Sequence, residues 1–173
     1  MDRLIKKQFQ TAFPKGFGMI ELLAAMALAI FIIPGMLQFS FSMTRIINGQ
    51  ERRVEAAYLA EEGIEAVRTM RDRSWSTTIA GLTLNTDYYP TIQSNVWSLS
   101  LTDPGVLLGR YTRTVKLQSV NRDTSSDIVV PPAVGGVEDA ETRFVSSTVS
   151  WTEPGGAVRS LTLQAYLTNF LAN

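Results

Sequence analysis

Between Phe17 and Phe41 the chain carries a single charge, Glu21. Residues 22–33 are apolar without exception, and Pro34-Gly35 follows directly. A bilayer core takes about 20 apolar residues in a helix, so this stretch is long enough to span one. Positive charge gathers on its N-terminal side: Arg3, Lys6, Lys7 and Lys15 stand against Asp2, a net of +3. Because the whole chain is neutral, the remainder is acidic by the same amount. This asymmetry predicts that residues 1–16 form a hydrophilic leader on the cytoplasmic side and that the rest lies outside.

The overall neutrality argues against nucleic acid as a main partner, since phosphate binding needs a basic excess. The 173 residues contain no cysteine and no histidine. Disulfides and thiolate metal sites are therefore excluded. The usual zinc sites and imidazole base catalysis are excluded with them. No cofactor is expected.

Past the apolar run, residues 42–73 keep a helical pattern. Apolar residues recur at Ile46/Ile47, Val54, Ala57/Tyr58, Ala60, Ile64 and Val67, three or four apart. Six arginines and six acids fill other positions between Arg45 and Arg73, with Glu65/Arg68 and Arg68/Asp72 spaced to pair. Gly49 and Gly63 weaken this helix by about 1 kcal/mol each relative to alanine. Pro34, which cannot donate to the carbonyl four residues back, predicts a kink or a short unwound segment at Pro34-Gly35.

After residue 74 threonine, valine, tyrosine and serine alternate. Three runs read as strands, about 107–120, 143–152 and 157–169, with one or two shorter ones within 79–101. Residues 122–141 read as a polar loop. A hairpin is predicted at Glu153-Pro154-Gly155-Gly156. In it the odd positions Val145, Val149, Trp151, Leu161, Leu163 and Leu167 face inward, with Tyr111, Val115 and Leu117 of the preceding strand. These should meet a helix stripe of Val54, Tyr58, Ile64 and Val67. The fold class is α+β: a helix over 17–73, membrane-spanning to about 41, whose second half packs on a small antiparallel sheet within 74–173.

The stretch Lys15-Gly16-Phe17-Gly18-Met19-Ile20-Glu21, followed by the apolar run, resembles the prepilin cleavage site of type IV pilins and of the pseudopilins of type II secretion. Leu59-Ala60-Glu61-Glu62-Gly63-Ile64-Glu65 resembles a stretch common in minor pilins and pseudopilins. The resemblance implies cleavage between Gly16 and Phe17 by a prepilin peptidase that also methylates Phe17. It implies an assembly role for Glu21, paired with the amino terminus of a neighbouring subunit. It further implies other pilin subunits and an inner-membrane assembly platform as partners. The chain departs from the family in three ways. Gly18 stands where threonine is frequent, Pro34 lies a few residues early, and no disulfide can close a C-terminal loop. A minor subunit fits these departures better than a major one.

Other readings compete at single residues. Glu21 near the end of a span also suits a carboxylate snorkelling to the interface. Asn121, Asp123, Ser125 and Asp127 alternate like calcium ligands, but Ser126 and Pro132 break the EF-hand pattern, which favours a solvated turn. Trp75, Trp97 and Trp151 suit core packing better than an adhesive patch. Arg110, Arg113, Lys116 and Arg122 read as a solvated strand face balanced by acids. The competing function class is a membrane-anchored binding or carboxylate-based hydrolytic domain. It would need two of Asp87, Asp103, Asp123, Asp127 and Glu153 brought into one pocket.

Overall fold

The computed structural model describes residues 16, 18–125, 129–130 and 134–171. Helix α1 (Met19–Arg73) is followed by the short α2 (Trp75–Thr78). Six strands come next: β1 (Asp87–Gln93), β2 (Val96–Ser100), β3 (Tyr111–Arg122), β4 (Val129–Val130), β5 (Val137–Thr152) and β6 (Val158–Thr168). They form one antiparallel sheet in the order β2-β1-β3-β5-β6, with β4 paired to β3. The fold is α+β, a long helix packed on an antiparallel sheet. The chain divides into two contact units at Ile47/Asn48.

In the first unit, α1 starts after Gly18, whose N–H donates to Glu21 Oε2 at 3.0 Å. A carboxylate in the first turn satisfies a free helix donor and suits the positive end of the helix dipole. Of the kink or unwound segment predicted at Pro34-Gly35, no unwound segment forms: the helix continues through both residues. Proline removes one backbone donor, and the flanking turns hold the rest of the ladder. Ser42 Oγ and Thr44 Oγ1 bond back to the carbonyls of Gln38 and Ser40 at 2.9 and 3.0 Å. Their polarity is thus absorbed inside the helix. The large apolar side chains from Met19 to Phe41 are all exposed, and the stretch is long and apolar enough to cross a membrane.

In the second unit, α1 buries Ala56, Ala60, Gly63, Ile64, Ala66, Val67 and Met70 against the sheet. Ile64 and Val67 belong to the predicted stripe. Val54 and Tyr58 do not, being 53% and 69% exposed. The observed face runs through Ala56, Ala60, Gly63, Val67 and Met70 at the same helical spacing, one step around from the bulkier residues. Small side chains let the helix approach closely. A Cβ on Gly63 would lie 2.3 Å from Ser147 Oγ and 3.2 Å from Arg113 Cδ. Gly63 therefore has a packing reason that Gly49, with nothing within 4 Å, lacks.

Two apolar clusters form the core. One joins Ile64, Val67, Met70, Trp75, Ile79 and Tyr88 to Val115, Leu117, Val145 and Leu167. The other joins Ala56 and Ala60 to Tyr111, Val149 and Trp151. The predicted strand parity holds for Tyr111, Val115, Leu117, Val145, Val149, Trp151 and Leu167, all buried. Leu163 departs from it and is 37% exposed. It lies on the edge strand opposite Ser147, beyond the cover of the helix. A register shift between Ser119 and Asn121 then changes the parity, so that Val120 is buried.

The predicted hairpin forms: Glu153 N–H bonds to Ala157 O, and Gly156 N–H to Glu153 O, both at 2.8 Å. β1 and β2 turn at Ser94 and Asn95, both with positive φ (50° and 63°), as a two-residue hairpin requires. Residues 122–141 are not wholly loop. β4 lies within them, and β5 begins at Val137, where Asn121 and Arg122 pair with Glu138 and Val137. Pairing overrides the low strand propensity of that acidic stretch. The predicted first strand begins late, because 107–110 form a turn closed by Leu107 and Tyr111.

Candidate functional site

Of the N-terminal motif, Gly16, Gly18 and Glu21 are described; residues 1–15 of the expected 1–16 leader and Phe17, with the cleavage and methylation expected there, lie outside the described residues. Glu21 is exposed and turned back to Gly18 on an apolar helix that buries none of its 18-residue span window. A carboxylate so placed is costly in a bilayer unless it finds a partner.

A second constellation lies where the second unit begins. Arg52 pairs with Glu153, whose other oxygen accepts from Trp151 Nε1 at 2.9 Å. Tyr111 OH donates to Glu55 and lies 3.3 Å from the Arg52 carbonyl. Burial, then the Glu55 hydrogen bond and charge, push the Tyr111 phenol up to about 12. The Trp151 hydrogen bond, opposed by burial and helped by Arg52 and Arg159, holds the Glu153 carboxyl below its ordinary value. At Asp139 burial raises the pKa, but hydrogen bonds from Thr142, Arg122 and the Glu141 N–H, with the Arg122 charge, outweigh it and leave it lowered.

These shifts make the fold's stability depend on pH at its two ends. Asp139 and Glu153 titrate lower in the fold than in the open chain. Their stabilisation is complete above an unfolded value of about 4 and is lost as pH falls through the folded values. Tyr111 titrates higher, so its contribution is complete below about 10 and is lost as pH rises towards 12. Thermal melts of the detergent-solubilised protein are expected to be flat between these limits. Asp139→Asn with Glu153→Gln should flatten the acid limb, and Tyr111→Phe the alkaline one.

The four basic residues of β3 and its approach do not share one solvated face. Arg110 is exposed, Lys116 pairs with Asp87 at 3.1 Å, and Arg122 with Asp139 at 2.7 Å. Arg113 is instead buried under the helix. Its Nη1 donates to the Leu59 carbonyl at 3.1 Å and to Glu62 Oε2 at 2.6 Å. The guanidinium lies 5.8 Å from the Trp97 ring centre. The sequence carried the signal, because Arg113 has the same parity as Tyr111 and Val115. Nothing in the sequence marked Arg52, Glu55 and Glu153 as neighbours. Trp75 and Trp151 are buried and Trp97 packs on the core, in line with their core assignment.

Among the described residues, each candidate catalytic acid has its own separate partner. Asp87 pairs with Lys116, and Asp103 accepts from Gly105 N at 2.8 Å. Glu153 pairs with Arg52. Asp123 accepts from both the N–H and the hydroxyl of Ser125, the geometry of a turn. Ser126, Asp127 and Pro132 lie outside the described residues. Among the described residues no three acids come together as metal ligands. No family model matches this chain, and no curated protein or solved structure matches it.

Proposed function

We propose that this protein is a structural subunit, a minor pilin or pseudopilin, of a type IV pilus or related filament. It is made as a precursor, cut between Gly16 and Phe17 and N-methylated at Phe17 by a prepilin peptidase. Before assembly it sits in the bacterial inner membrane with the leader in the cytoplasm. It then packs with other pilin subunits, delivered by an inner-membrane assembly platform. The observation that supports this reading best is Glu21: a lone carboxylate at the start of an apolar helical stretch with no residue buried, shortly after the Gly16-Phe17-Gly18 sequence. Apolar packing between helices supplies cohesion, and a charge partner for Glu21 fixes their axial register.

Mass spectrometry of filaments from the native host tests it. The chain is expected to begin at methylated Phe17. Glu21→Ala, which lowers the cost of insertion, is expected to be inserted and cleaved yet largely missing from filaments. An intact Met1 in filaments, or normal incorporation of the alanine variant, contradicts the assignment.

A further inference from the structure

The inward parity of β5 and β6 turns polar at one end of the sheet. Val145 and Leu167 are buried in the core. Further back along β5 the same parity selects Arg143, opposite Leu167, and then Glu141. Asn169, just past β6, continues the register, its N–H bonding to the Glu141 carbonyl at 2.8 Å. Arg143, Glu141 and Asn169 line a cleft of about 700 Å³ together with Trp75 and Ala80. Arg143 is only 7% exposed, yet it has no acidic partner among the described residues. Its Nη1 donates to the carbonyls of Asp139 and Thr142 at 3.2 and 3.0 Å. Its Nε is shielded from solvent and has no hydrogen-bond partner among the described residues. The nearby acids are engaged elsewhere. Asp139 accepts from Arg122 at 2.7 Å and from the Glu141 N–H at 2.9 Å, and Glu141 Oε2 accepts from Asn169 Nδ2 at 2.5 Å. Asn169 Oδ1 is shielded and without a partner, as Arg143 Nε is. A buried cation without a counter-charge and a buried carbonyl without a donor are both costly. Here the two stand on one cleft.

We propose that this cleft binds an α-amido carboxylate, the group that ends a peptide chain or an N-acylated amino acid. The carboxylate takes the donors of Arg143 that its two carbonyl bonds leave free, a match for which the planar guanidinium is suited. The amide N–H on the neighbouring carbon donates to Asn169 Oδ1. Glu141 selects this class over a bare anion. Its charge stands on the same cleft and opposes an added negative charge that brings no donor with it. Trp75 backs the guanidinium, whose central carbon lies 5.8 Å from its ring centre, and so helps to hold the cation in place. The cleft has the size of an ordinary small-ligand site. All of its residues belong to the sheet unit, so the inference depends neither on the filament nor on the anchor.

Nuclear magnetic resonance on the full-length, nitrogen-15-labelled chain in dodecyl maltoside tests the site. The Arg143 Nε–H and Trp75 indole signals are assigned from Arg143→Lys and Trp75→Phe. N-acetylalanine is expected to move both signals to saturation. Propionate, which lacks the amide, is expected to bind roughly tenfold more weakly, the worth of one hydrogen bond. N-acetylalaninamide, which lacks the charge, should move neither signal. Asn169→Ala should reduce N-acetylalanine to the affinity of propionate and leave propionate unchanged. Asn169 is half-buried beyond the end of β6, so this variant keeps the fold, which near-ultraviolet circular dichroism checks. Arg143→Gln should abolish the response of Trp75 to both acids. Acetyl-trialanine that binds as tightly as N-acetylalanine identifies a peptide end as the ligand, and its exclusion identifies a small acid. Equal responses to N-acetylalanine, propionate and N-acetylalaninamide, or a response to none, overturn the site; a bridging water then suffices for the two orphaned groups. An Asn169→Ala variant that keeps the parent's preference for N-acetylalanine over propionate overturns it as well.

Discussion

Gly63→Val is expected to abolish cooperative unfolding of the sheet unit. The added Cβ would lie 2.3 Å from Ser147 Oγ, and Ser147 is fully buried. The Ser147 hydroxyl would have to turn away inside a buried contact, and the two γ-carbons would press further between Arg113 and Ser147. Overpacking by one or two carbons costs about 1–3 kcal/mol in ordinary cores, and more where backbone elements touch. Gly63→Ala puts two effects in opposition. Helix propensity gains about 1 kcal/mol, and the clash exceeds it, so a loss of about 1–2 kcal/mol is expected. Ser147→Ala should relieve most of that loss, because its hydroxyl is both the clashing atom and a buried group without a hydrogen-bond partner among the described residues. Gly49→Ala, with open space around it, should instead stabilise by about 0.5–1 kcal/mol. Denaturant melts of the four variants in detergent check this. Equal behaviour of the two alanine variants would mean that helix and sheet are further apart than described.

Leu117→Asp is expected to be as damaging. Leu117 is fully buried between Val145 and the helix residues of the larger cluster. An unpaired carboxylate there faces a desolvation cost of several kcal/mol, comparable with a whole domain's stability of about 5–15 kcal/mol. Loss of the cooperative transition in near-ultraviolet circular dichroism is the expected outcome. Leu163→Asp is expected to lower stability by only about 1 kcal/mol, because a side chain 37% exposed on an edge strand can turn its charge to water. Alternation alone would put Leu163 with the core, so the pair measures how far the helix covers the sheet.

The legible parts of the fold were those fixed by local chemistry. The apolar run, the β5–β6 hairpin and the inward parity of β3 and β5 follow from periodicity and turn residues. The helix face was legible in spacing but not in identity. Reading by bulk selects Val54 and Tyr58, whereas close approach selects Ala56, Ala60 and Gly63. Leu163 failed because parity reports which way a side chain points and says nothing of what lies above it. The acidic start of β5 is a strand only because β3 supplies the pairing. Pro34 stays helical because a single lost donor leaves the ladder intact on both sides. At the candidate site, Gly16, Phe17 and Glu21 stood out in the sequence. The Arg52–Glu153 and Tyr111–Glu55 contacts join residues 101 and 56 positions apart, and no spacing rule reaches that far.

The same contacts determine how this unit answers to force. Tyr111 meets Glu55, Arg113 meets Leu59 and Glu62, and Ser147 meets Gly63, so β3 runs alongside the helix in the same direction. Tension drawn along the helix axis from its amino-terminal side acts on these ties in shear, all at once, instead of peeling them one after another. The Arg52–Glu153 pair at the leading end and the Gly63 notch behind it act as a bolt and a stop. Axial slip of the helix has to break several contacts in the same instant, whereas a sideways pull would open them in turn. The unit is therefore mechanically anisotropic, stiffest along the axis of its own helix.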